Sequence, residues 1–260
     1  MRRSIHRVHA KIGYLSIAAL FSALTLTSTA FAADADWKGT TDTKWGTATN
    51  WDSSTAPDGA TETNTNIKAK TDGASYAVDV DSAGAVAKGL VLESDGTNKV
   101  TLTVKADANL TLKGGATSDA DSTIVIDAVG GGTTAGALVF DTGADLVNNG
   151  TLTNNGTLTL TAASALVNDG TLTNNGTLTL TATSALANAG TLTNNGTLTG
   201  GAGLTTNAGT LTNNGTFTAN SLATNTGTLN IGADTTTALT DNTGGTINLN
   251  GGQLTTGAIA

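Results

Sequence analysis

The sequence contains no cysteine, a single proline and few aromatic residues. Without cysteine an exported chain forms no disulfide bonds, so its stability has to come from apolar burial and backbone pairing. Beyond position 32 the aromatic residues are Trp37, Trp45, Trp51, Tyr76, Phe140 and Phe217. A compact globular core normally uses more large side chains, whereas a stack of thin coils is filled by Leu, Val, Ile and Ala.

Basic residues are also scarce. All three arginines and both histidines lie within the first nine residues, and no basic residue follows Lys113. Beyond position 32, eight lysines stand against twenty acidic residues, which gives a formal charge of −12. This balance excludes the basic footprint of a nucleic-acid-binding protein and a polybasic contact with anionic lipid. We therefore expect no nucleic-acid partner.

The chain beyond position 32 lacks the residues of common catalytic and metal sites. Without His and Cys, Ser-His and Cys-His nucleophiles and the usual zinc ligand sets are excluded. Glycoside chemistry needs two carboxyl groups about 5 to 10 Å apart, and the candidate pairs are Asp79 with Asp81 and Asp119 with Asp121. We interpret these as solvated acids beside strand ends, and predict no catalytic residue, no metal and no cofactor.

The first 32 residues have the pattern of a secretory signal peptide. Four basic residues among the first eleven precede an apolar stretch over residues 12–26, and Ala30-Phe31-Ala32 matches a cleavage site. The apolar stretch is shorter than the roughly 20 residues of a spanning helix. We predict export with cleavage after Ala32, and no membrane span in the mature chain. The Arg2-Arg3 pair leaves a twin-arginine signal open as an alternative.

Three zones follow the predicted signal peptide. Residues 33–75 are polar and contain all three tryptophans and Pro57, as a cap segment would. Residues 76–145 alternate apolar and polar residues in short bursts separated by Gly, Asp and Ser, which predicts short strands in irregular coils. Residues 146–260 are regular repeats, and no polar cap follows Leu254, so we expect an uncapped last coil.

A twenty-residue repeat dominates the third zone. The sequence of residues 148–161, NNGTLTNNGTLTLT, recurs almost unchanged from Asn168, with altered last residues from Asn188, and in degraded form from Asn207. A fixed period in this range is typical of a solenoid, in which each repeat contacts its neighbours. We expect such a protein to act as a surface or a spacer rather than as a catalyst.

One period divides into three short strands and three turns. In Thr151-Leu152-Thr153 the alternation points the leucine to one face and both threonines to the other. The same pattern recurs in residues 157–161 and 165–167. The predicted core leucines of the repeats are Leu152, Leu158, Leu160, Leu166, Leu172, Leu178, Leu192 and Leu211.

Asn-Gly pairs separate the strands. Both residue types tolerate positive φ, so we predict turns at these positions, with asparagines stacked from coil to coil in hydrogen-bonded ladders. The predicted turn and ladder residues are Asn154, Asn174, Asn194, Asn213, Gly156, Gly176, Gly196 and Gly215. Asn-Gly also favours hairpins, but a meander has no need of near-identical twenty-residue copies.

These observations predict an all-β parallel β-helix with about 20 residues and three short strands per coil. Parallel strands joined by crossovers favour the right-handed connection, so we expect right-handed coils. In this arrangement equivalent leucines stack about 4.8 Å apart.

The cap segment carries a family resemblance. Trp37, Trp45, Asn50, Trp51 and Pro57, followed by coils of Asn-Gly-Thr units, resemble the passenger regions of bacterial autotransporter-type surface proteins. The resemblance spans the whole predicted mature chain. One departure is that no translocator barrel, with strands of about ten alternating residues, follows residue 200. We therefore expect either a truncated gene product or a passenger exported alone.

The resemblance implies a non-catalytic adhesin-like or structural spacer protein. It also implies a location at the cell surface or outer membrane, or secretion, and a periplasmic location if the passenger is truncated. Host or environmental glycans or proteins are the implied partners. We expect the tryptophans to cap the first coil, with sugar stacking as the alternative.

Two alternatives for function remain at this level. One is a polysaccharide-acting β-helix protein that uses the aspartate pairs named above. The other is ice binding, because the Thr-Leu-Thr units would form a regular array of hydroxyl and methyl groups on one face. Threonine is also a favoured solvent-facing strand residue. The units in question are residues 151–153, 171–173, 191–193 and 210–212, with a second array from residue 157.

Overall fold

A computed structural model describes residues 33–68, 75–130, 132–181, 183–200, 205–233, 235–239 and 242–255. The predicted signal peptide, residues 1–32, lies outside these ranges. Within them the chain forms 26 β-strands, and the single helical element is a 3₁₀ turn at Ala48–Asn50. All pairings between these strands are parallel.

The strands form three stacks, and each coil of the chain contributes one strand to each stack. Stack 1 contains β3 (Tyr76–Val80), β6 (Val100–Val104), β9 (Thr123–Ile126), β12 (Thr151–Asn154), β15 (Thr171–Asn174), β18 (Thr191–Asn194), β21 (Thr210–Asn213), β23 (Thr228–Ile231) and β25 (Thr246–Leu249). Stack 2 contains β4 (Ala85–Ala87), β7 (Asn109–Leu112), β10 (Ala137–Phe140), β13 (Thr157–Leu160), β16 (Thr177–Leu180), β19 (Thr197–Thr199), β22 (Thr216–Asn225), β24 (Thr235–Leu239) and β26 (Leu254–Thr255). Stack 3 contains β1 (Ala33–Asp36), β2 (Glu62–Lys68), β5 (Leu90–Glu93), β8 (Ala116–Ser118), β11 (Leu146–Asn148), β14 (Ala165–Asn168), β17 (Ala185–Asn188), β20 (Thr205–Asn207) and the second half of β22.

The architecture confirms the predicted parallel β-helix. Equivalent residues pair directly from coil to coil, as Leu152 does with Leu172. The inward positions of stack 1 are Val78, Leu102, Ile124, Leu152, Leu172, Leu192, Leu211, Leu229 and Ile247. Their spacing gives coils of 22 to 28 residues before Leu152, of 20 in the best repeats, and of 18 at the end. The mean of about 20 predicted from the repeats therefore describes the middle of the solenoid.

Alternation along the strands builds one continuous core. In β13 the burial alternates residue by residue, with Leu158 and Leu160 fully buried and both threonines partly exposed. All eight core leucines predicted from the repeats are buried to 1% exposure or less. Between Ile67 and Ile231 the core is filled mainly by Leu, Val and Ile, with Phe140 and Phe217 as its large side chains. A narrow coil interior accommodates few rings, which explains their scarcity.

One coil departs from three separate strands. Residues 216–225 run as a single ten-residue strand, β22, which pairs in both stack 2 and stack 3. The corresponding stretch of the regular repeat, residues 157–168, has two more residues and includes a turn at residues 161–164. Without those two residues the chain bends inside one strand, with a register shift, instead of turning.

The cap segment, residues 33–75, is joined to the solenoid by backbone pairing. It supplies β1 and β2 to stack 3, so the first coil begins earlier than its irregular sequence indicates. The loop between these strands also covers the edge of β3, the first strand of stack 1. There Lys44 bridges Asp79, and the Trp45 N–H donates to the Asp79 carbonyl over 2.8 Å.

Candidate functional site

The glycines of the repeat lie where successive coils touch. A Cβ added at Gly176 would lie 2.1 Å from the carbonyl oxygen of Gly156, and one at Gly170 would lie 2.1 Å from that of Gly150. The positive φ expected at Gly156, Gly176, Gly196 and Gly215 is wrong, because φ at these positions lies outside the left-handed region. Glycine is required here because the backbones of neighbouring turns approach too closely for a side chain.

The asparagines predicted to stack form a ladder inside the core. Asn154 donates from Nδ2 to Oδ1 of Asn174 over 2.7 Å, and the same bond continues to Asn194 and Asn213. The second amide hydrogen of Asn154 reaches the Thr177 carbonyl over 2.8 Å. The turn assignment is corrected here, since each of these residues ends a strand of stack 1 and is fully buried.

A second buried ladder was not predicted from the sequence. It runs along the ends of the stack 3 strands, with amide-to-amide distances of 2.6 to 2.8 Å. Its members are Asn148, Asn168, Asn188, Asn207, Asn225 and Asn242. Their spare amide hydrogens donate to carbonyls at the start of stack 1 strands, as Asn168 does to Thr191 over 3.0 Å. The first asparagine of each Asn-Asn-Gly and Asn-Asp-Gly unit was the available signal.

A third row of asparagines lies on the outside of the turn between stacks 1 and 2. Asn175 donates to Asn155 over 2.8 Å, and Asn195 and Asn214 continue the row toward the C-terminus. These amides donate toward the N-terminus, opposite to the buried ladders. Since Asn175, Asn195 and Asn214 are exposed, the row adds a polar border to the outer surface.

The three tryptophans of the family-like segment form one buried cluster. The ring centroids of Trp37 and Trp51 lie 5.0 Å apart, as do those of Trp45 and Trp51, both in edge-to-face geometry. Trp51 donates from Nε1 to the Trp45 carbonyl over 2.8 Å. With 5% or less of each residue exposed, no indole face is available to a sugar ring. The geometry fits a cap on the first coil.

Asn50 and Pro57 complete this cap. The buried Asn50 side chain donates to Asp42 over 2.7 Å and to the Lys44 carbonyl over 3.1 Å, and accepts from the Thr41 N–H. Pro57 is buried where the segment turns toward β2. The family-like residues therefore hold the loop that covers the β3 edge.

The candidate carboxylate pairs are engaged in local contacts. Asp79 pairs with Lys105 over 3.2 Å and accepts from the Thr43 hydroxyl, while Asp81 pairs with Lys44 over 3.3 Å. In the second pair, Asp121 contacts Lys99, and Asp119 accepts from the Ser94 N–H and the Ser122 hydroxyl. Each carboxylate has a structural partner.

Two further carboxylates hold turns, although the sequence gave no reason to select them. Glu62 is buried and accepts from the backbone N–H groups of Gly59 and Lys88 over 2.7 and 3.0 Å. Asp58 accepts from the N–H groups of Thr61 and Ala60, which stabilise its charged form and lower its pKa to about 2. Neither arrangement leaves an acid for chemistry.

The largest regular surface is the outer face of stack 1, which we call face 1. It consists of two rows of side chains, and its first row has threonine in eight successive coils. From β6 onward, its strands contain no charged and no aromatic residue. This surface was predicted as a Thr-x-Thr array only for the four repeat copies.

Comparison with family models, with curated proteins and with solved structures found no match. Among the described residues, no group of three or more His, Cys, Asp or Glu side chains is placed to hold a metal ion. The described part of the chain also contains no helix that is long and apolar enough to cross a membrane. The arrangement of the outer faces is therefore the basis for assigning a function.

Proposed function

We propose that this protein is an exported bacterial surface protein, a non-catalytic passenger-type solenoid that acts as an adhesive or spacer rod. Its coils are expected to be right-handed. The observation that carries the proposal is the uninterrupted stacking of coils from Tyr76 to Leu249 behind neutral outer faces of Thr and Asn. Such faces hydrogen-bond to glycans and hydrated surfaces over a long distance.

The side-chain chemistry supports a binding role over a catalytic one. The two aspartate pairs are tied to Lys105, Lys44 and Lys99, and no described site combines a nucleophile with a base. Export is supported by the pattern of residues 1–32 and by the absence of cysteine. The buried tryptophan cap protects the first coil, as a solenoid outside the cell requires.

The experiment compares adhesion of three strains: one lacking the gene, one complemented with the natural chain, and one complemented with Asp79→Asn/Asp81→Asn. Antibody labelling of intact cells verifies equal display. We expect both complemented strains to regain the adhesion or surface spacing lost in the deletion strain. Equal behaviour of all three would contradict the proposal. Failure of the displayed double variant alone would indicate a function that depends on the carboxylates.

A further inference from the structure

Face 1 carries a row of threonines that is longer than the sequence repeat. Its first row consists of Thr101, Thr123, Thr151, Thr171, Thr191, Thr210, Thr228 and Thr246. Its second row consists of Thr103, Val125, Thr153, Thr173, Thr193, Thr212, Asn230 and Asn248. Eight strands spaced about 4.8 Å apart make the first row roughly 34 Å long.

The constancy of this row is specific to face 1. Thr101 and Thr123 belong to coils outside the repeat, where neither coil length nor core residues are conserved from coil to coil. The corresponding row of stack 2 reads Asn109, Ala137 and then Thr157. Copying of a repeat therefore does not explain the threonines at the beginning of face 1.

The threonine side chains of this face are free to bind a ligand. Within the described ranges, the hydroxyl groups of Thr151, Thr153, Thr171 and Thr173 make no hydrogen bond to the protein, and these residues are exposed or partly exposed. A hydroxyl group both donates and accepts, and each threonine adds a methyl group. These units recur about 4.8 Å apart across the strands and about 6.7 Å apart along them.

The two buried asparagine ladders border face 1 and fix its backbone. Asn148 and Asn168 donate to the carbonyls of Thr171 and Thr191 in the first row, while the Asn154 ladder closes the opposite edge. Side-chain ladders of this kind stabilise flat stacked sheets. The hydroxyl lattice is therefore ordered before any ligand arrives.

We propose that face 1 is an ice-binding surface. An ice surface is uncharged, and its oxygen atoms both donate and accept at regular intervals in two directions, with repeats of similar length to those of this lattice. The match is one of charge and hydrogen-bonding character, since the strands of face 1 beyond β3 are neutral. The inference rests on the proposed function in that it names the ligand of the exported solenoid.

Other occupants fit this surface less well. Sugar-binding sites rely on aromatic stacking, and the strands of face 1 beyond β3 contain no aromatic residue. Protein interfaces depend on aromatic and arginine anchors, and the chain has no arginine beyond Arg7. Ice is the ligand that requires many weak, identical contacts at fixed spacing.

The test measures thermal hysteresis and ice-crystal shape with purified protein whose first 32 residues have been removed by secretion or by a protease. The natural chain is compared with Thr173→Lys/Thr193→Lys, which places two long charged side chains at the centre of face 1. The matched control is Thr159→Lys/Thr179→Lys, which alters equivalent paired and partly exposed threonines of stack 2. Circular dichroism melting curves check that both variants fold.

We expect the natural chain and the stack 2 variant to shape ice and to lower its growth temperature, and the face 1 variant to lose most of this effect. The inference is overturned if the natural chain has no effect on ice, or if the face 1 variant keeps it. Retention on crystalline cellulose or chitin without any effect on ice also overturns it. That last outcome leaves the adhesive function standing, whereas a cytoplasmic location removes the function but not the ice result.

Discussion

Asn154 and Asn174 lie one coil apart and are joined inside the core by a 2.7 Å hydrogen bond between their amide groups. Both side chains are fully buried. Buried polar groups are costly unless they are paired, and here the repeat pairs them with their own copies. The ladder thus turns identity between coils into stability and fixes the register of neighbouring turns.

Asn174→Ala is expected to destabilise the solenoid by about 1 to 3 kcal/mol, because it leaves the Asn194 amide oxygen and one Asn154 amide hydrogen without their partners. The measurement is urea unfolding followed by far-UV circular dichroism. Asn175→Ala is the control, since it removes a member of the exposed row and should change the free energy of unfolding by less than about 0.5 kcal/mol. Equal effects would show that the buried ladder has no special weight.

Gly176→Ala is expected to cost about 1 to 3 kcal/mol, since overpacking forces backbone shifts of this energy. The added methyl group would meet the Gly156 carbonyl oxygen and the Asn155 backbone, neither of which can rotate away. Thermal melting measures the effect. Gly130→Ala is the control, because its Cβ would meet no atom within 4 Å and its φ lies outside the left-handed region. A neutral Gly176→Ala would contradict the stacking explanation for glycine.

Deletion of residues 171–190 is expected to give a folded solenoid that is shorter by one coil. The deletion joins Gly170 to Thr191 and leaves β12 to pair with β18, whose sequence is identical to that of β15. Stability in such arrays is a sum over repeats and their interfaces. Circular dichroism and small-angle scattering provide the measurement.

The control for this experiment is deletion of residues 171–180, half a coil. It places strands of stack 3 after strands of stack 1 and disrupts both buried ladders, so the C-terminal coils should lose their structure. If the half-coil deletion folds as well as the full-coil deletion, the coil is not the unit of the fold.

Acid should weaken the cap through Asp58. Its pKa is lowered from 3.8 to about 2 by the N–H groups of Thr61 and Ala60. A lowered pKa in the folded state means that the stabilisation is fully present above about pH 4 and is lost as the pH falls toward 2. Tryptophan fluorescence reports on the cap, because all three tryptophans lie in it.

In urea melts followed by fluorescence, Asp58→Ala should remove part of the loss of stability between pH 4 and pH 2. Asp52→Ala, in the same segment, is the control. If Asp58→Ala has the same pH dependence as the natural chain, the hydrogen bonds to Asp58 do not contribute to the stability of the cap.

Much of the solenoid follows from two features of the sequence. Alternation in units such as Thr151-Leu152-Thr153 sets which side chains face inward, and the twenty-residue period sets which coils pair. Together these predicted the three strands per coil and the buried positions of Leu158 and Leu160. Both signals are local or repeated, so they need no knowledge of distant contacts.

Other features depend on contacts that no local pattern encodes. Asn168 resembles a turn residue in sequence, and its burial follows from where β14 ends relative to the core. Asn-Gly is a common turn pair, so the close approach of Gly176 to Gly156 could not be distinguished from a need for positive φ. The bridge from Lys44 to Asp79 joins segments 35 residues apart, and Thr101 joins the row of face 1 only through its pairing with Thr123.

The central claim, that this chain is an exported solenoid displayed outside the cell, is tested most directly by N-terminal sequencing of the protein recovered from fractionated cells. The account predicts a mature chain beginning at Ala33, recovered from the cell surface or the medium and degraded by protease added to intact cells. A cytoplasmic protein that retains its first 32 residues and resists added protease until the cells are broken would contradict it.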